Sequence, residues 1–300
     1  MMKTAESVSP SHPDKIADRI SDAILDACLE QDPDSRVAVE VMGGHGIITI
    51  TGELTTKAYI NVREIAQRIA GDYGVQTNIV SQSPEIAQGV DIGGAGDQGI
   101  MVGYATNDNE AMIPQELYLA RDLCKYIYEE QPFDGKTQIT LDGTKITTVV
   151  ASFQNATQLE LLSLVNEWLQ LQGIGYEVNI LCNPAGDWHQ GGFEADTGLT
   201  GRKLAIDNYG PQIPIGGGAF SGKDATKVDR SGAYMARYIA VDLLKKYNAK
   251  EVKTSLAYAI GIAQPVMATA TIINKNFDSE DIDITGLYDC TPNGIIKLLD

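Results

Sequence analysis

The chain has 300 residues, of which 43% are hydrophobic and 21% charged, the balance of an ordinary globular protein with two or three domains. Its net charge of −17 argues against nucleic acid or an anionic membrane as a partner, because both require a basic face. An anionic ligand would therefore have to be held by a local cluster of Lys and Arg.

The four cysteines, Cys28, Cys124, Cys182 and Cys290, lie far apart and form no C-x-x-C pair. Scattered thiols of this kind are typical of core packing in a reducing compartment. The sequence contains no run of about 18 apolar residues that would indicate a membrane span. Because its first residues also lack the apolar segment of a signal peptide, we expect a cytoplasmic protein.

The first predicted unit begins with a helix that Ser11 caps and that ends before Pro33. Apolar residues recur along this helix at helical spacing. Four aspartates line another face: Asp14, Asp18, Asp22 and Asp26. We interpret the last three as solvent-exposed. Strands at 36–41 and 47–54 follow, and then a helix at 57–70.

The same order of elements returns in a second unit, where a helix at 115–130 precedes a hairpin and another helix. Asp142-Gly143 is a strong hairpin signal between strands at 136–141 and 145–154. Thr157 caps the next helix, and a strand is expected at 176–182. The apolar stripe of that helix is predicted to be Leu159, Leu162, Val165, Trp168 and Leu169.

A third unit begins with a helix at 226–247, followed by strands at 251–261 and 266–273. Thr291-Pro292 starts a last helix, with Thr as the cap and Pro at the first helical position. The inward face of the first helix is predicted to be Ala233, Ala236, Ala240, Leu243, Leu244 and Tyr247.

Strand pairs flanked by helices predict an α+β fold, in which helices cover one face of each sheet. Because the pattern recurs three times, we expect three similar domains. We place them at 12–96, 97–185 and 186–300, with residues 1–11 packing onto the third.

The segment 216–231 concentrates glycine and lysine at the start of a predicted helix. Glycines let backbone N–H groups approach an anion, and Lys223 and Lys227 would project from one helix face. Such a site suits phosphates, and Asp229 suits an accompanying metal. The segment is not a P-loop, because Asp224 stands where that motif needs Ser or Thr and no apolar strand precedes it.

Three segments, none of them decisive alone, together resemble S-adenosylmethionine synthetase (methionine adenosyltransferase). They are Glu6-Ser7-Val8-Ser9 with the run from His12 to Asp18, the run from Gly94 to Gly99, and the run from Gly216 to Asp224. Supporting matches lie at 52–56, 198–203, 227–231 and 258–261. The resemblance extends in the right order over essentially the whole chain.

The resemblance implies three α+β domains around a pseudo-threefold axis. It also implies a reaction in which the sulfur of methionine attacks C5′ of ATP and displaces the whole triphosphate, which is then hydrolysed to phosphate and diphosphate. The implied ions are Mg²⁺, two per site, and K⁺. The implied assembly is a homodimer or a dimer of dimers, with active sites between subunits.

On the ATP side, the resemblance implies that His12 donates a hydrogen bond to the leaving O5′ and that Asp14 and Asp229 each hold Mg²⁺. Trp188 stands where the family commonly has Phe and keeps an aromatic face for adenine. The implied catalytic residues are His12, Lys136, Arg202, Lys223 and Lys227. The implied ATP-binding residues are His12, Asp134, Lys136, Asp187, Trp188, Asp196, Arg202, Lys203, Ala219 and Lys223.

On the methionine side, the implied residues are Glu53, Gln88, Asp196 and Lys227. Lys227 suits the substrate carboxylate, an acid suits the ammonium group, and the neutral Gln88 can orient the amino acid. Glu40 matches the K⁺ ligand of the family.

The sequence departs from the family in a gating loop between Gln88 and Gly94 that is shortened, in an abbreviated segment at 71–83, and in an earlier C-terminus. A shorter lid would exclude water less completely and change product release. The alternatives are a catalytically weak paralogue that acts as a regulatory subunit and an enzyme that has shifted to a methionine analogue. The reactive groups expected of an active enzyme are nevertheless retained: His12, Asp14, Lys136, Lys223, Lys227 and Asp229.

Overall fold

Three four-stranded β-sheets, each covered by helices on one face, form the fold in a computed structural model that describes residues 1–83, 90 and 93–299. The strands are β1 (Met2–Val8), β2 (Arg36–Gly44), β3 (Ile47–Thr55), β4 (Gly74–Val80), β5 (Gly99–Thr106), β6 (Gly135–Asp142), β7 (Lys145–Phe153), β8 (Asn179–Cys182), β9 (Gly198–Leu199), β10 (Glu251–Tyr258), β11 (Met267–Ile273) and β12 (Ser279–Asp283). The helices are α1 (Pro13–Leu29), α2 (Val62–Ala70), α3 (Gln115–Glu130), α4 (Gln158–Leu171), α5 (Leu204–Asp207), α6 (Val228–Lys246) and α7 (Pro292–Leu299), with a 3₁₀ turn at Gly192–Glu194. The predicted α+β fold with three similar units is confirmed.

Each sheet is built around an antiparallel hairpin. The first sheet has the strand order β4-β3-β2-β9, the second β1-β6-β7-β8 and the third β12-β11-β10-β5. Apolar side chains on one face pack against α1 and α2 in the first unit, α3 and α4 in the second, and α6 and α7 in the third. Burial of these apolar faces is the main source of stability in each unit.

One outer strand of each sheet comes from a distant part of the chain. β1 pairs antiparallel with β6, β5 pairs with β10, and the two-residue β9 pairs with β2. Residues 1–11 contribute mainly to the second unit, because β1 belongs to its sheet and Ala5 packs with Leu117 of α3. They also contact the third unit, where α5 and Gly210 approach β1. The chain positions at which we divide the three domains remain our interpretation.

Helix caps explain the main differences from the predicted limits. The N-terminus of α1 is capped by His12 and not by Ser11, since the His12 ring accepts the N–H of Asp14. Helix α2 begins at Val62 rather than at 57, because the Asn61 side chain accepts the N–H groups of the first turn. Five strands were not predicted: β1, β4, β5, β9 and β12.

The predicted apolar stripe of α4 is wrong in its first turns. Thr157 and Glu160 form a capping box, as expected of a Thr cap, and this sets the rotation of the helix. Leu161 therefore faces the core, whereas Leu159 is 78% exposed and Leu162 is 38% exposed. The predicted inward face of α6 is wrong at its C-terminal end. Tyr247 follows the last helical residue and is exposed instead of buried.

Among the helices of the described residues, none combines the length and the apolar composition that crossing a bilayer requires.

Candidate active site

The N-terminus of α1 places His12 in a buried position with a defined hydrogen-bonding role. The main-chain N–H of Asp14 donates to Nδ1 of His12 at 3.2 Å, so Nδ1 is the acceptor and the ring proton lies on Nε2. Burial, together with the charges of Lys203 and Lys136, lowers the pKa of His12 to about 4. At neutral pH the ring is therefore uncharged, and its Nε2–H is available as a hydrogen-bond donor.

Asp14 is buried one residue into the same helix and is surrounded by groups of the segment that follows β9. Its carboxylate accepts the N–H of Leu199 at 2.9 Å and a short hydrogen bond from Nζ of Lys203. Nε of Arg202 lies 3.6 Å from Asp14 Oδ1. Burial alone would raise the pKa of Asp14, but the hydrogen bonds from Lys203 and Leu199 outweigh it and lower the pKa. The carboxylate is thus held ionised beside two cations.

Three further expected residues lie near His12. Asp134 is buried before β6, and its Oδ2 accepts the N–H of Gly192 at 2.9 Å. Burial raises the pKa of Asp134, which the charge of Lys136 partly offsets. The exposed Asp196 acts electrostatically on both His12 and Asp134. His12 thus lies within the electrostatic range of Lys136 and Asp196, and both of these residues also act on Asp134.

The acidic face of α1 is only partly solvent-exposed, which corrects the interpretation of Asp18 and Asp22. Oδ1 of the buried Asp18 accepts the N–H of Gly201 at 2.9 Å. Oδ1 of Asp22 accepts the N–H of Gly222 at 3.0 Å and pairs with Arg230 at 3.0 Å. Asp26, the last of the row, is exposed as predicted.

Asp14, Asp18 and Asp22, at consecutive turns of α1, thus bind the segments 198–203 and 216–224 to one helix. Sequence reasoning missed the roles of Asp18 and Asp22. The available signal was their i, i+4 spacing from Asp14, which places all three side chains on one face.

The glycine-rich segment holds the second group of charges. Nζ of Lys223 lies 2.8 Å from Oδ2 of Asp229, in the first turn of α6. Gly218 packs directly against that carboxylate, since a Cβ at this position would lie 2.1 Å from Cγ of Asp229. Burial raises the pKa of Glu40 on β2, although the charge of Lys223 opposes this and those of Asp18 and Asp229 add to it. Glu40 therefore shares the electrostatic environment of Lys223 and Asp229.

The register of the first sheet brings Glu53 to the same side. Ala38 of β2 pairs with Glu53 of β3, and on its other side it forms an antiparallel bridge with Lys223. Directly paired residues point to the same face of a sheet. Glu53, Ala38 and Lys223 therefore lie on the face opposite the buried Val37 and Val39.

Lys227 is engaged by a carboxylate that was not predicted to take part. Asp224 is buried and accepts the N–H of Val37 at 2.6 Å, and its same oxygen lies 2.5 Å from Nζ of Lys227. Asp224 therefore attaches the segment to the edge of β2 and orients Lys227. Asp224, which stands where a P-loop would need Ser or Thr, thus has a structural role in this protein.

Asp187 and Trp188 lie beside the second sheet. Oδ1 of Asp187 accepts the N–H of Gln158 in the first turn of α4 at 3.0 Å. The half-buried Trp188 donates from its indole N–H to Oδ1 of Asn183 at 3.2 Å. Ala219 lies where the two loops of the site meet, because a Cβ on Gly201 would be 2.5 Å from the Cβ of Ala219.

Hydrogen bonds and ion pairs of the described residues divide the expected site into two main groups. The first contains Asp14, Arg202 and Lys203, with His12, Asp134, Lys136 and Asp196 beside it. The second contains Lys223 and Asp229, with Glu40 and Glu53 beside it. Gln88 lies outside the described residues.

The donor set suits a hard cation that a substrate helps to bind. Within the described part of the chain, no group of three or more His, Cys, Asp or Glu side chains could hold a metal ion alone. Mg²⁺ commonly uses only one or two carboxylates and completes its octahedron with water and phosphate oxygens. Asp14 and Asp229 each offer a carboxylate, currently paired with a lysine, so the residues fit such an ion.

Comparison with known proteins extends along the whole chain. Residues 1–90 match the family model described as the S-adenosylmethionine synthetase N-terminal domain, residues 92–187 that of the central domain, and residues 190–300 that of the C-terminal domain.

Individual relatives give the same result. The chain is 45% identical to an S-adenosylmethionine synthase of Kosmotoga olearia over 88% of this chain and 79% of that protein. It is 42% identical to one of Pseudothermotoga lettingae over 99% of this chain and 89% of the relative. A solved S-adenosylmethionine synthetase from Campylobacter jejuni is 32% identical and superimposes with a TM-score of 0.85, covering 99% of this chain and 88% of that one.

Proposed function

The chain belongs to the S-adenosylmethionine synthetase family and is a methionine adenosyltransferase that uses ATP and methionine, and we propose that its two groups of charged residues together form the active site. The observation that carries this assignment is the pairing of each carboxylate, Asp14 and Asp229, with lysine side chains on glycine-containing loops. A chain with a net charge of −17 concentrates cations here, which suits a triphosphate.

His12 would act at the bond that breaks. The sulfur of methionine attacks C5′ of ATP, and negative charge develops on O5′ as the triphosphate departs. A neutral imidazole with its proton on Nε2 can donate a hydrogen bond to that oxygen. This hydrogen bond would stabilise the transition state more than the bound substrate, because the negative charge on O5′ develops as the bond breaks. Lys136, Arg202, Lys203 and Lys223 would bind the triphosphate and stabilise it as a leaving group.

Asp14 and Asp229 would each hold a divalent cation, which we take to be Mg²⁺ with two ions per site, and Glu40 would hold K⁺. When bound, the divalent ions would neutralise charge on the triphosphate oxygens. The two carboxylates would position those ions, and Lys203 and Lys223 would turn from them to the phosphates. Family members use a divalent metal and K⁺; the identity and number of the ions are our proposal.

The remaining residues would bind the organic parts of the substrates. Trp188 would stack on adenine, and Asp134, Asp187 and Ala219 would line the nucleotide. Asp196, exposed and electrostatically coupled to His12, would take the ammonium group of methionine and contact the nucleotide. Lys227 would bind the methionine carboxylate. Glu53 and Gln88 complete the methionine set.

We also propose that a second copy of the chain completes the site, in a homodimer or a dimer of dimers. The separation of the cations into two groups supports this, since one subunit could supply each group. Large apolar side chains on the uncovered faces of the first and third sheets support it too: Met42, Ile47, Val80, Ile100 and Met267. The four free thiols agree with a location in the cytoplasm.

The direct test mixes the purified protein with ATP, L-methionine, Mg²⁺ and K⁺ and follows the products by chromatography. S-adenosylmethionine, phosphate and diphosphate in equal amounts are expected. S-adenosylmethionine accompanied by triphosphate would show that hydrolysis does not follow the first step. Binding of ATP with no product would overturn the proposed active site and favour a regulatory subunit.

A further inference from the structure

We propose that a second cavity, behind the active-site loops, binds a small organic carboxylate. The cavity has a volume of about 490 Å³ and lies between α1, α3 and α6, where the three units meet. Its volume is in the range of small-molecule sites. Of the residues that we expect to bind ATP, methionine or metal, none that the structure describes lines it.

Seven of the 17 described residues that line the cavity are charged. Four of them are cations and three are carboxylates: Lys15, Arg121, Arg230, Arg237, Asp18, Asp22 and Asp207. The wall thus carries one excess positive charge in a chain whose net charge is −17.

The carboxylates are already occupied by the other two cations. Nζ of Lys15 lies 2.9 Å from Asp18 Oδ2 and 2.7 Å from Asp207 Oδ2, so this lysine forms an ion pair with both carboxylates. Arg230 pairs with Asp22 at 3.0 Å. These contacts hold the wall together, and Asp207, which is paired with Lys15, acts on Arg121 only beyond ion-pair distance.

Within the described residues, the hydrogen-bond partners of Arg121 and Arg237 are all main-chain carbonyl oxygens. Arg121 donates to the main-chain oxygens of Ile206 and Asn208, at 2.7 and 3.0 Å. Arg237 likewise donates to three main-chain oxygens of β5 and of the segment after it. Among the described residues, no carboxylate lies within ion-pair distance of either guanidinium group. Each group retains N–H donors that these bonds do not use.

The two guanidinium groups are also close enough to interact. Burial lowers the pKa of Arg121; the charge of Asp207 partly offsets this, and the charge of Arg237 makes a smaller contribution that lowers the pKa. Burial lowers the pKa of Arg237 as well. Two half-buried like charges that repel each other beside a cavity are stabilised by an anion between them, and the guanidinium fork matches a carboxylate.

The charge and the remaining wall define the class of ligand. One excess positive charge is matched by a monocarboxylate, whereas a phosphate monoester near neutral pH carries about −1.5 to −2. Ile113, Tyr209, Phe220 and Tyr234 supply apolar and aromatic surface. A carboxylate attached to a small apolar or aromatic body therefore fits best.

The experiment uses benzoate as the probe and benzamide as its uncharged counterpart of the same shape. Benzoate, but not benzamide, is expected to raise the Tm of the wild-type protein in a saturable manner, since a ligand of the folded state stabilises it. Arg121→Gln should weaken the benzoate Kd at least about tenfold. Lys125→Gln, one turn later on α3 and exposed, is the matched control and should keep the wild-type Kd.

Equal responses to benzoate and benzamide, or an unchanged Kd in Arg121→Gln, would overturn the proposal. If Arg121→Gln does not fold, crystals of the wild-type protein soaked in 4-bromobenzoate decide. Anomalous bromine density in the cavity, with the carboxylate against Arg121 and Arg237, supports the site. Density in the active site alone, or density with no shift of Tm in solution, contradicts it. Inorganic phosphate, tested in parallel, should give the same Tm shift in Arg121→Gln as in the wild type, because phosphate would bind at the active site. A phosphate-induced Tm shift that is lost in Arg121→Gln would refute a site selective for carboxylates.

Discussion

The main-chain N–H of Asp14 donates to Nδ1 of His12, and this one contact joins the cap of α1 to the protonation state of the ring. The pKa of His12 is lowered to about 4 by burial and by Lys203 and Lys136, so the neutral form predominates above that pH. Protonation on the acid side is therefore expected near pH 4 instead of 6.5 in the ligand-free protein.

Histidine NMR can measure this, because the chain contains only three histidines. The signal assigned to His12, by its loss in His12→Asn, should not titrate between pH 8 and 5, a window that spans the usual His pKa. A midpoint near 6.5 for His12 would contradict a neutral, Nε2-protonated donor.

The metal assignment predicts large losses from removal of a single charge. Asp14→Asn and Asp229→Asn should each lower S-adenosylmethionine formation by at least about 100-fold, because a direct ligand matters at least as much as the groups that orient it. Each variant should also need a higher Mg²⁺ concentration for half-maximal rate. Asp72→Asn, at an exposed position, should behave as the wild type. Wild-type kinetics in either variant would remove that residue from the site.

Two neighbouring glycines allow a sharp test of the Asp229 environment. A Cβ at Gly218 would lie 2.1 Å from Cγ of Asp229, whereas one at Gly217 meets nothing within 4 Å. Gly218→Ala should displace the carboxylate and lower kcat/KM roughly 10- to 100-fold, and Gly217→Ala should have little effect. Equal activity of the two variants would argue against a function for Asp229 in this position.

Asp22 and Asp26 provide another matched pair, one turn apart on α1. Asp22 accepts the N–H of Gly222 and pairs with Arg230, whereas Asp26 is exposed. Asp22→Ala should raise the KM for ATP, because the loop that carries Lys223 loses its attachment, and should cost about 1 to 3 kcal/mol of unfolding free energy. Asp26→Ala should change neither. Equilibrium unfolding in urea and steady-state kinetics would compare them, and an unchanged KM in Asp22→Ala would contradict the positioning role.

The two tryptophans of the chain should respond differently to nucleotide. Trp168 is buried in the second unit and donates to Asp122 at 2.7 Å, while Trp188 is half-buried and is proposed to stack on adenine. A non-hydrolysable ATP analogue should change the fluorescence of Trp168→Phe, in which only Trp188 emits, and not that of Trp188→Phe. The reverse result would place adenine elsewhere.

The sequence was most informative where the determinants are local. Helix α3 was predicted with its observed limits, since a clear helical period follows Pro114. The hairpin at Asp142-Gly143 and the Thr157 cap depend on residues adjacent in the chain, and both were predicted. The resemblance to the family also depended on short contiguous motifs, and the family models confirm it.

Features that depend on distant segments were not predictable from local pattern. The outer strands β1 and β5 take their partners more than a hundred residues away, and nothing near them in the chain marks those partners. Asp18 and Asp22 resemble an exposed helix face until loops far along the chain supply the N–H groups that they accept. Capping by an imidazole ring is uncommon, so the local pattern indicates Ser11 as the cap and does not reveal the role of His12.

The exchange of outer strands also determines the order in which the sheets can form during synthesis. Val8 pairs with Lys136, a separation of 128 residues (136 − 8), so at about 5–20 residues per second β1 leaves the ribosome roughly 6–26 s before its partner. The first sheet can be completed only later still, because β9 at Gly198–Leu199 is synthesised long after β2. No single domain segment of the nascent chain therefore holds a complete sheet. The earliest β-segment made must remain available, without pairing wrongly, until half of the protein has been translated.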